Sequence, residues 1–213
     1  MKLDQVGQGP PLLFLHDWGF NAQAWQRQVP YFQSSYRLHL VDYNATDLPA
    51  HLAYEDLNGW LCEGLQAVLP QTPYAIVAHG FGAFLAYELI ERGLVPEKLV
   101  LVSGLVRMTN GDGFLSGLPQ SKVTELRHAL AADSKAMLKA WYAQVFSAPS
   151  EATPPDIADC LPLHAEAFLR LAFDALISHD YRDVAPHLGC PTLILQGEAD
   201  SIVPPWQATL LRG

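Results

Sequence analysis

The stretch from Pro73 to Glu91 constrains the chain more than any other. Tyr74-Ala75-Ile76-Val77-Ala78 is a short apolar run of the kind that forms a strand buried on both faces. His79-Gly80-Phe81-Gly82 reads as a sharp turn. Ala83 to Ile90 is rich in helix formers with apolar residues at helical spacing. Strand, tight turn and helix make the frame in which G-x-S-x-G presents a nucleophilic serine. Here the frame is Ala78-His79-Gly80-Phe81-Gly82, and Gly80 stands where the nucleophile would be. That turn needs a positive φ, which glycine adopts without steric cost, so the fold should accept the loss. A phosphate-cradling G-x-G-x-x-G turn is the competing reading, but Ala83-Phe84-Leu85 supplies no third small residue in register.

The 213 residues suffice for one sizeable core. The net charge of −9 and the scattered Lys and Arg residues argue against nucleic acid as a partner. Cys62, Cys160 and Cys190 are far apart and odd in number, which points to a reducing, cytoplasmic setting rather than a disulfide framework. No metal-ligand spacing is visible and no cofactor is expected. The start of the chain has no signal-peptide pattern, and no apolar run is long enough for a membrane span.

Taken in order, residues 1 to 10 suggest a weak edge strand. Leu12 to Leu15 is an apolar strand that stops at His16-Asp17-Trp18-Gly19-Phe20. Asn21 is a good N-cap, and Ala22 to Phe32 reads as a helix. Tyr36 to Asp42 is a strand and Glu55 to Leu69 a helix. The elbow follows, then a strand over Lys98 to Val102 closed by Ser103-Gly104. This alternation predicts a doubly wound, mostly parallel sheet, with ligands beyond the strand C-termini. Residues 105–180 break it with three helices, Ser121 to Ala131, Ser134 to Phe146 and Leu163 to Ile177, expected to form a lid. The sheet resumes at Cys190 to Gln196. The organisation expected is therefore a core over 1–104, a lid over 105–180 and a second core segment over 181–213.

Together, the Leu15-His16-Asp17-Trp18-Gly19 loop, the Ala78 to Gly82 elbow and the Gly197 to Pro204 segment resemble the α/β-hydrolase family. Within it the chain is most similar to the pimeloyl-acyl-carrier-protein methyl ester carboxylesterases of biotin synthesis. Leu38-His39-Leu40-Val41-Asp42, the helical lid and Asp180-Tyr181-Arg182-Asp183 add to that likeness. The resemblance implies an α/β-hydrolase fold and a small acyl ester or acyl-carrier substrate. It places the nucleophile at Gly80, the oxyanion donors on the backbone of Trp18 and Phe81, and the triad acid at Asp200. No histidine follows Asp200 in the sequence, so a last strand, histidine loop and final helix are expected to be absent. An ester hydrolase lacking nucleophile and base should be inactive or impaired. The alternative is a non-catalytic protein that binds a small ligand or a partner on the same scaffold.

Asp17 departs from the family loop, which commonly has glycine there; a carboxylate beside the oxyanion site would oppose the charge developing in it. H-D-W-G also resembles the elbow of epoxide hydrolases. Its place after the first strong strand, with no helix entered closely after Phe20-Asn21, argues against Asp17 as nucleophile. Ser103 could line the pocket or substitute as nucleophile, though no base can be named beside it. His16 and His79 read as loop or core histidines. Trp141 and Phe146, with Trp18 and Ser103, are the candidate substrate contacts, although lid aromatics more often pack in the core. Asp200 could equally cap the turn before Val203-Pro204. The strand over Thr192 to Gln196 should present an open edge, which invites a partner or a second copy to cover it.

Overall fold

Parallel pairing of the apolar runs builds the sheet. The structure, a computed structural model, describes residues 1–44, 48–111, 113–145 and 166–211. Strands β1 (Lys2–Val6), β2 (Pro11–Leu15), β3 (Arg37–Asp42), β4 (Ala75–His79), β5 (Lys98–Val102) and β6 (Thr192–Leu195) lie in the order β1-β3-β2-β4-β5-β6. β1 pairs antiparallel with β3; all other pairs are parallel. The chain goes from β2 to β3 on one side, then returns to β4 on the other. The junction of β2 and β4 is thus the switch point of the sheet, where the loops after two neighbouring strands diverge and leave a crevice.

Alternation along the strands divides the core. Leu13 and Leu15 of β2 face a large cluster with Val41, Ile76, Leu99 and Leu101. Leu12 and Phe14 face the other way, into a small cluster with Trp25 and Leu38. Helices α2 (Tyr54–Gln66) and α3 (Phe81–Glu91) pack together against the large side. Of the eleven residues of α3, nine are buried, so this helix runs through the core rather than over its surface.

The helix expected over Ala22 to Phe32 is two pieces: a 3-10 turn at Ala22–Trp25 and a short α1 at Val29–Phe32. Pro30 is the cause, since it lacks an N–H and its ring crowds the carbonyl four residues earlier. Asn21 does cap the first piece, its side chain accepting from the Gln23 N–H at 2.8 Å. Both pieces pack on the small cluster, with Trp25 5.0 Å and Phe32 6.2 Å from the Phe14 ring.

Among the described residues, three α-helices lie between β5 and β6: α4 (Gln120–Ala132), α5 (Ser134–Val145) and α6 (Glu166–Ser178). They are latched to the loop after β2. The Tyr142 hydroxyl donates to the Gly19 carbonyl, and the Trp18 indole donates to the Leu169 carbonyl at 3.0 Å. Phe146 lies outside the described residues. A last short helix, α7 (Gln207–Leu210), follows β6. Among the described residues, no helix is long and apolar enough to cross a membrane.

β6 pairs only with β5 among the described residues, and Leu193 and Leu195 on it are 54% and 47% exposed. Neither side chain is buried enough for its loss to open a cavity. Replacing both by threonine should therefore shift the urea midpoint by no more than about 0.5 kcal/mol of stability. The same change should slow aggregation at raised temperature, followed by light scattering.

Candidate active site

The crevice at the β2/β4 switch point is built by two backbone approaches. At the first, Gly80 has φ +51° and ψ −114°, a conformation side-chain-bearing residues rarely take. It turns the chain from β4 straight into α3. At the second, Gly82 sits so close to β2 that a Cβ on it would lie 2.7 Å from the Leu15 carbonyl oxygen and 3.0 Å from that of His16. Glycine at that position lets the first turn of α3 lie against the loop after β2. The N–H of Phe81, an unpaired donor of the helix start, is brought beside that of Trp18.

Both donors have the same partner, and it is Asp17. Its Oδ1 accepts from the Trp18 N–H at 2.7 Å and from the Phe81 N–H at 2.6 Å. Asp17 is the cap that α3 lacks locally, since Gly80 at its N-cap carries no side chain. An anion is also favoured there by the helix dipole. Asp17 does more than stand beside the donors: it occupies them. A Cβ added to Gly80 would lie 2.0 Å from its Oδ1 and 2.1 Å from its Cγ. The carboxylate from β2 fills the volume of an elbow side chain on β4, so Asp17 and a side chain at position 80 exclude each other.

The loop bearing Asp17 and Trp18 is held from below. Buried His16 stacks on Tyr43 at 3.8 Å, and its Nδ1–H donates to the Asp17 carbonyl at 2.9 Å. Its Nε2 faces Asp42 Oδ1 at 3.7 Å. Asn44 donates through its side chain to Asp42 Oδ1 and to the Phe20 carbonyl, both at 2.8 Å. Asp42 is therefore a loop-ordering acid and His16 a loop-supporting histidine. Burial pushes the Asp42 carboxyl up, but the nearby His16 ring and the hydrogen bonds from Asn44 outweigh it and hold it below its ordinary value.

Asp17 lines a cavity of about 570 Å³ together with His79, Ser103, Gln144, Val145 and the Gly197 to Val203 turn. Ser103, at the end of β5, is the one non-glycine residue with positive φ among the described residues, at +44°. Its hydroxyl donates to Asp200 Oδ2 at 2.8 Å. Asp200 Oδ1 accepts the Ile202 and Val203 N–H groups at 3.0 and 2.9 Å, and Gln196 reaches Oδ2 at 3.2 Å. Asp200 thus caps its own turn and also faces the cavity. Trp18 and Trp141 do not line it; their side chains are 2% and 8% exposed and pack edge-on at 5.6 Å. Gln144 and Val145 of α5 were not anticipated as lining residues, and no polarity or spacing in the sequence marks them.

Two outcomes follow from this geometry. Gly80→Ala should cost about 3 kcal/mol, from positive φ and from expelling the Asp17 carboxylate off two charge-assisted bonds. In an Asp17→Gly background the same change should cost only about 1 kcal/mol, so a double-mutant cycle by urea unfolding should show strong coupling. Asp42 works through pH. Its folded pKa is depressed, so its contribution is complete above the ordinary value of 3.8 and fades as pH falls through the folded one. Asp42→Asn should make thermal stability less steep in acid below that value.

The comparisons with known proteins agree with this architecture. A family model described as the alpha/beta hydrolase family matches residues 12–213. The pimeloyl-[acyl-carrier protein] methyl ester esterase of Aeromonas hydrophila subsp. hydrophila is 28% identical, over 99% of this chain and 85% of its own. That of Legionella pneumophila strain Corby is 26% identical, over 96% and 81%. Among solved structures, an esterase from Exiguobacterium antarcticum superposes with TM-score 0.83 at 22% identity, covering 98% of this chain and 81% of its own. A bromoperoxidase from Bacillus anthracis gives 0.80 at 19%, covering 96% and 79%. The chain belongs to the alpha/beta hydrolase family.

Proposed function

We propose that this chain is a member of the carboxylic ester hydrolase branch, of the pimeloyl-acyl-carrier-protein methyl ester esterase type, that does not perform serine ester hydrolysis. Its cavity receives a small acyl ester or acyl-carrier ligand of the kind named for its relatives. One observation carries this reading: Asp17 Oδ1 sits on both the Trp18 and the Phe81 N–H. A serine esterase needs such donors empty, because the negative charge on the carbonyl oxygen of the tetrahedral intermediate must land on them. A resident carboxylate takes the hydrogen bonds and repels that charge. Gly80 agrees with it, since no serine hydroxyl can occupy the space that Asp17 fills. Asp200, which the resemblance gives as the triad acid, spends its oxygens on Ser103, Gln196, Ile202 and Val203.

A purely ligand-holding role on the same scaffold is the second reading, and the cavity favours it: its space is retained although the elbow side chain is gone. A pimeloyl methyl ester and a short p-nitrophenyl ester serve as test substrates, with alcohol release followed beside buffer. No turnover above background is expected, nor from Gly80→Ser, whose hydroxyl would meet Asp17. The pimeloyl ester should nevertheless raise the melting temperature saturably. Turnover by the unaltered chain near the ordinary enzyme range of about 10 per second would overturn the reading.

A further inference from the structure

We propose a second ligand site, between Met1, Tyr43 and α2, that takes a neutral, ring-sized molecule with one oxygen acceptor, of the phenol or cyclic alcohol class. It goes beyond the ester ligand proposed above, and its cavity shares no lining residue with the 570 Å³ one. Strand register builds it. β1 runs antiparallel to β3 with Lys2 opposite Asp42, so Met1 falls beside Tyr43, one step past each strand. On α2, Glu63 and Gly64 lie three and four residues after Trp60, so all three share one helix face. With Leu61 these residues line a cavity of about 170 Å³.

Size, surface and one polar atom set the ligand class. An apolar cavity of about 150 Å³ holds benzene, so this one has room for a single six-membered ring with a small substituent. The rings of Tyr43 and Trp60, the Leu61 side chain and the Met1 thioether offer it apolar contact. Gly64 keeps the space clear, since a Cβ on it would lie 3.1 Å from Met1 Cε. Tyr43 is 1% exposed, and its hydroxyl has no hydrogen-bond partner among the described residues. A buried hydroxyl left unpaired costs stability, and a ligand oxygen accepting from it removes that cost. Burial above all, then the charges of Asp17 and Asp42, pushes the Tyr43 hydroxyl up, so it keeps its proton and acts as a donor. Glu63 is the one Asp, Glu, Lys or Arg side chain in the lining; it is exposed and opposes an anionic ligand. Tyr43 also stacks on His16, which donates to the Asp17 carbonyl, so the occupant rests against the support of the Asp17 loop without entering the candidate active site.

The experiment titrates the full chain with phenol, toluene and benzoate, read by calorimetry and by shifts of backbone amide NMR signals. Phenol should bind saturably, one per chain, and about fivefold more tightly than toluene, the worth of one ordinary hydrogen bond. Shifts should centre on Tyr43 and on Trp60 to Gly64, and benzoate should not displace phenol. Tyr43→Phe keeps the ring and its stack on His16. It should leave toluene binding unchanged and erase the preference for phenol. Gly64→Leu should abolish binding of both by filling the space beside Met1, and leucine is the better helix former within α2. Circular dichroism checks that both variants fold. Undiminished phenol binding in Gly64→Leu, a phenol preference that survives in Tyr43→Phe, or no saturable binding by the unaltered chain would overturn the inference. The ester assays report on the other cavity, so the two readings fail separately.

Discussion

A single carboxylate oxygen shared by two backbone N–H groups ties the halves of this site together. The Asp17–Phe81 bond spans 64 residues of sequence and joins the loop after β2 to the start of α3. Charge-assisted bonds of this kind contribute about 1.5–3 kcal/mol each, and they act where the sheet would otherwise leave a crevice between diverging loops. The carboxylate does locally what a serine or aspartate at the N-cap would do, but from another strand. Because it comes from elsewhere, the N-cap itself must be empty of side chain. Gly80 is then required on two grounds, its backbone conformation and the space above it.

The same pair carries the proposal that hydrolase architecture and serine ester hydrolysis separate in this protein. The parts that depend on backbone alone are intact: the turn at Gly80, the close packing at Gly82 and the converging donors of Trp18 and Phe81. The side chains at positions 17 and 80 fit together as a pair. Loss of a nucleophile alone would leave the donors open to an ester carbonyl. An aspartate on the donors alone would clash with an elbow serine. Together Asp17 and Gly80 leave both backbone donors satisfied and the space at the elbow filled.

Much of this was legible in the sequence, and the limits have physical causes. The strands at Leu12 and Tyr74 could be read because strands in the middle of such a sheet need unbroken apolar runs. The elbow could be read because only one turn type joins such a strand so tightly to a helix. The helix over Ala22 to Phe32 was over-extended because periodicity continues through Pro30, whereas the hydrogen-bond ladder does not. Asp17 was legible as an anomaly, an acid beside a site for negative charge. That its side chain turns into the donors could not be read, since it depends on the approach of two loops distant in sequence. The Tyr142–Gly19 and Trp18–Leu169 latches were hidden for the same reason.

Ser103 and Asp200 show how one residue can satisfy a structural and a site-directed reading at once. Capping of the turn before Val203-Pro204 was foreseeable, and Asp200 Oδ1 does it. That role leaves Oδ2 turned toward the cavity, where it accepts from Ser103. Ser103 holds a left-handed conformation that costs an L-residue about 1 kcal/mol, with only one hydroxyl bond and the Leu195 carbonyl to its N–H as compensation. A residue kept strained at a strand end beside a cavity is better explained by where its hydroxyl must point than by the stability it adds. It holds Asp200, which lines the same cavity as Asp17. The cavity is thereby bounded by two ordered carboxylates, one on the loop after β2 and one on the turn after β6.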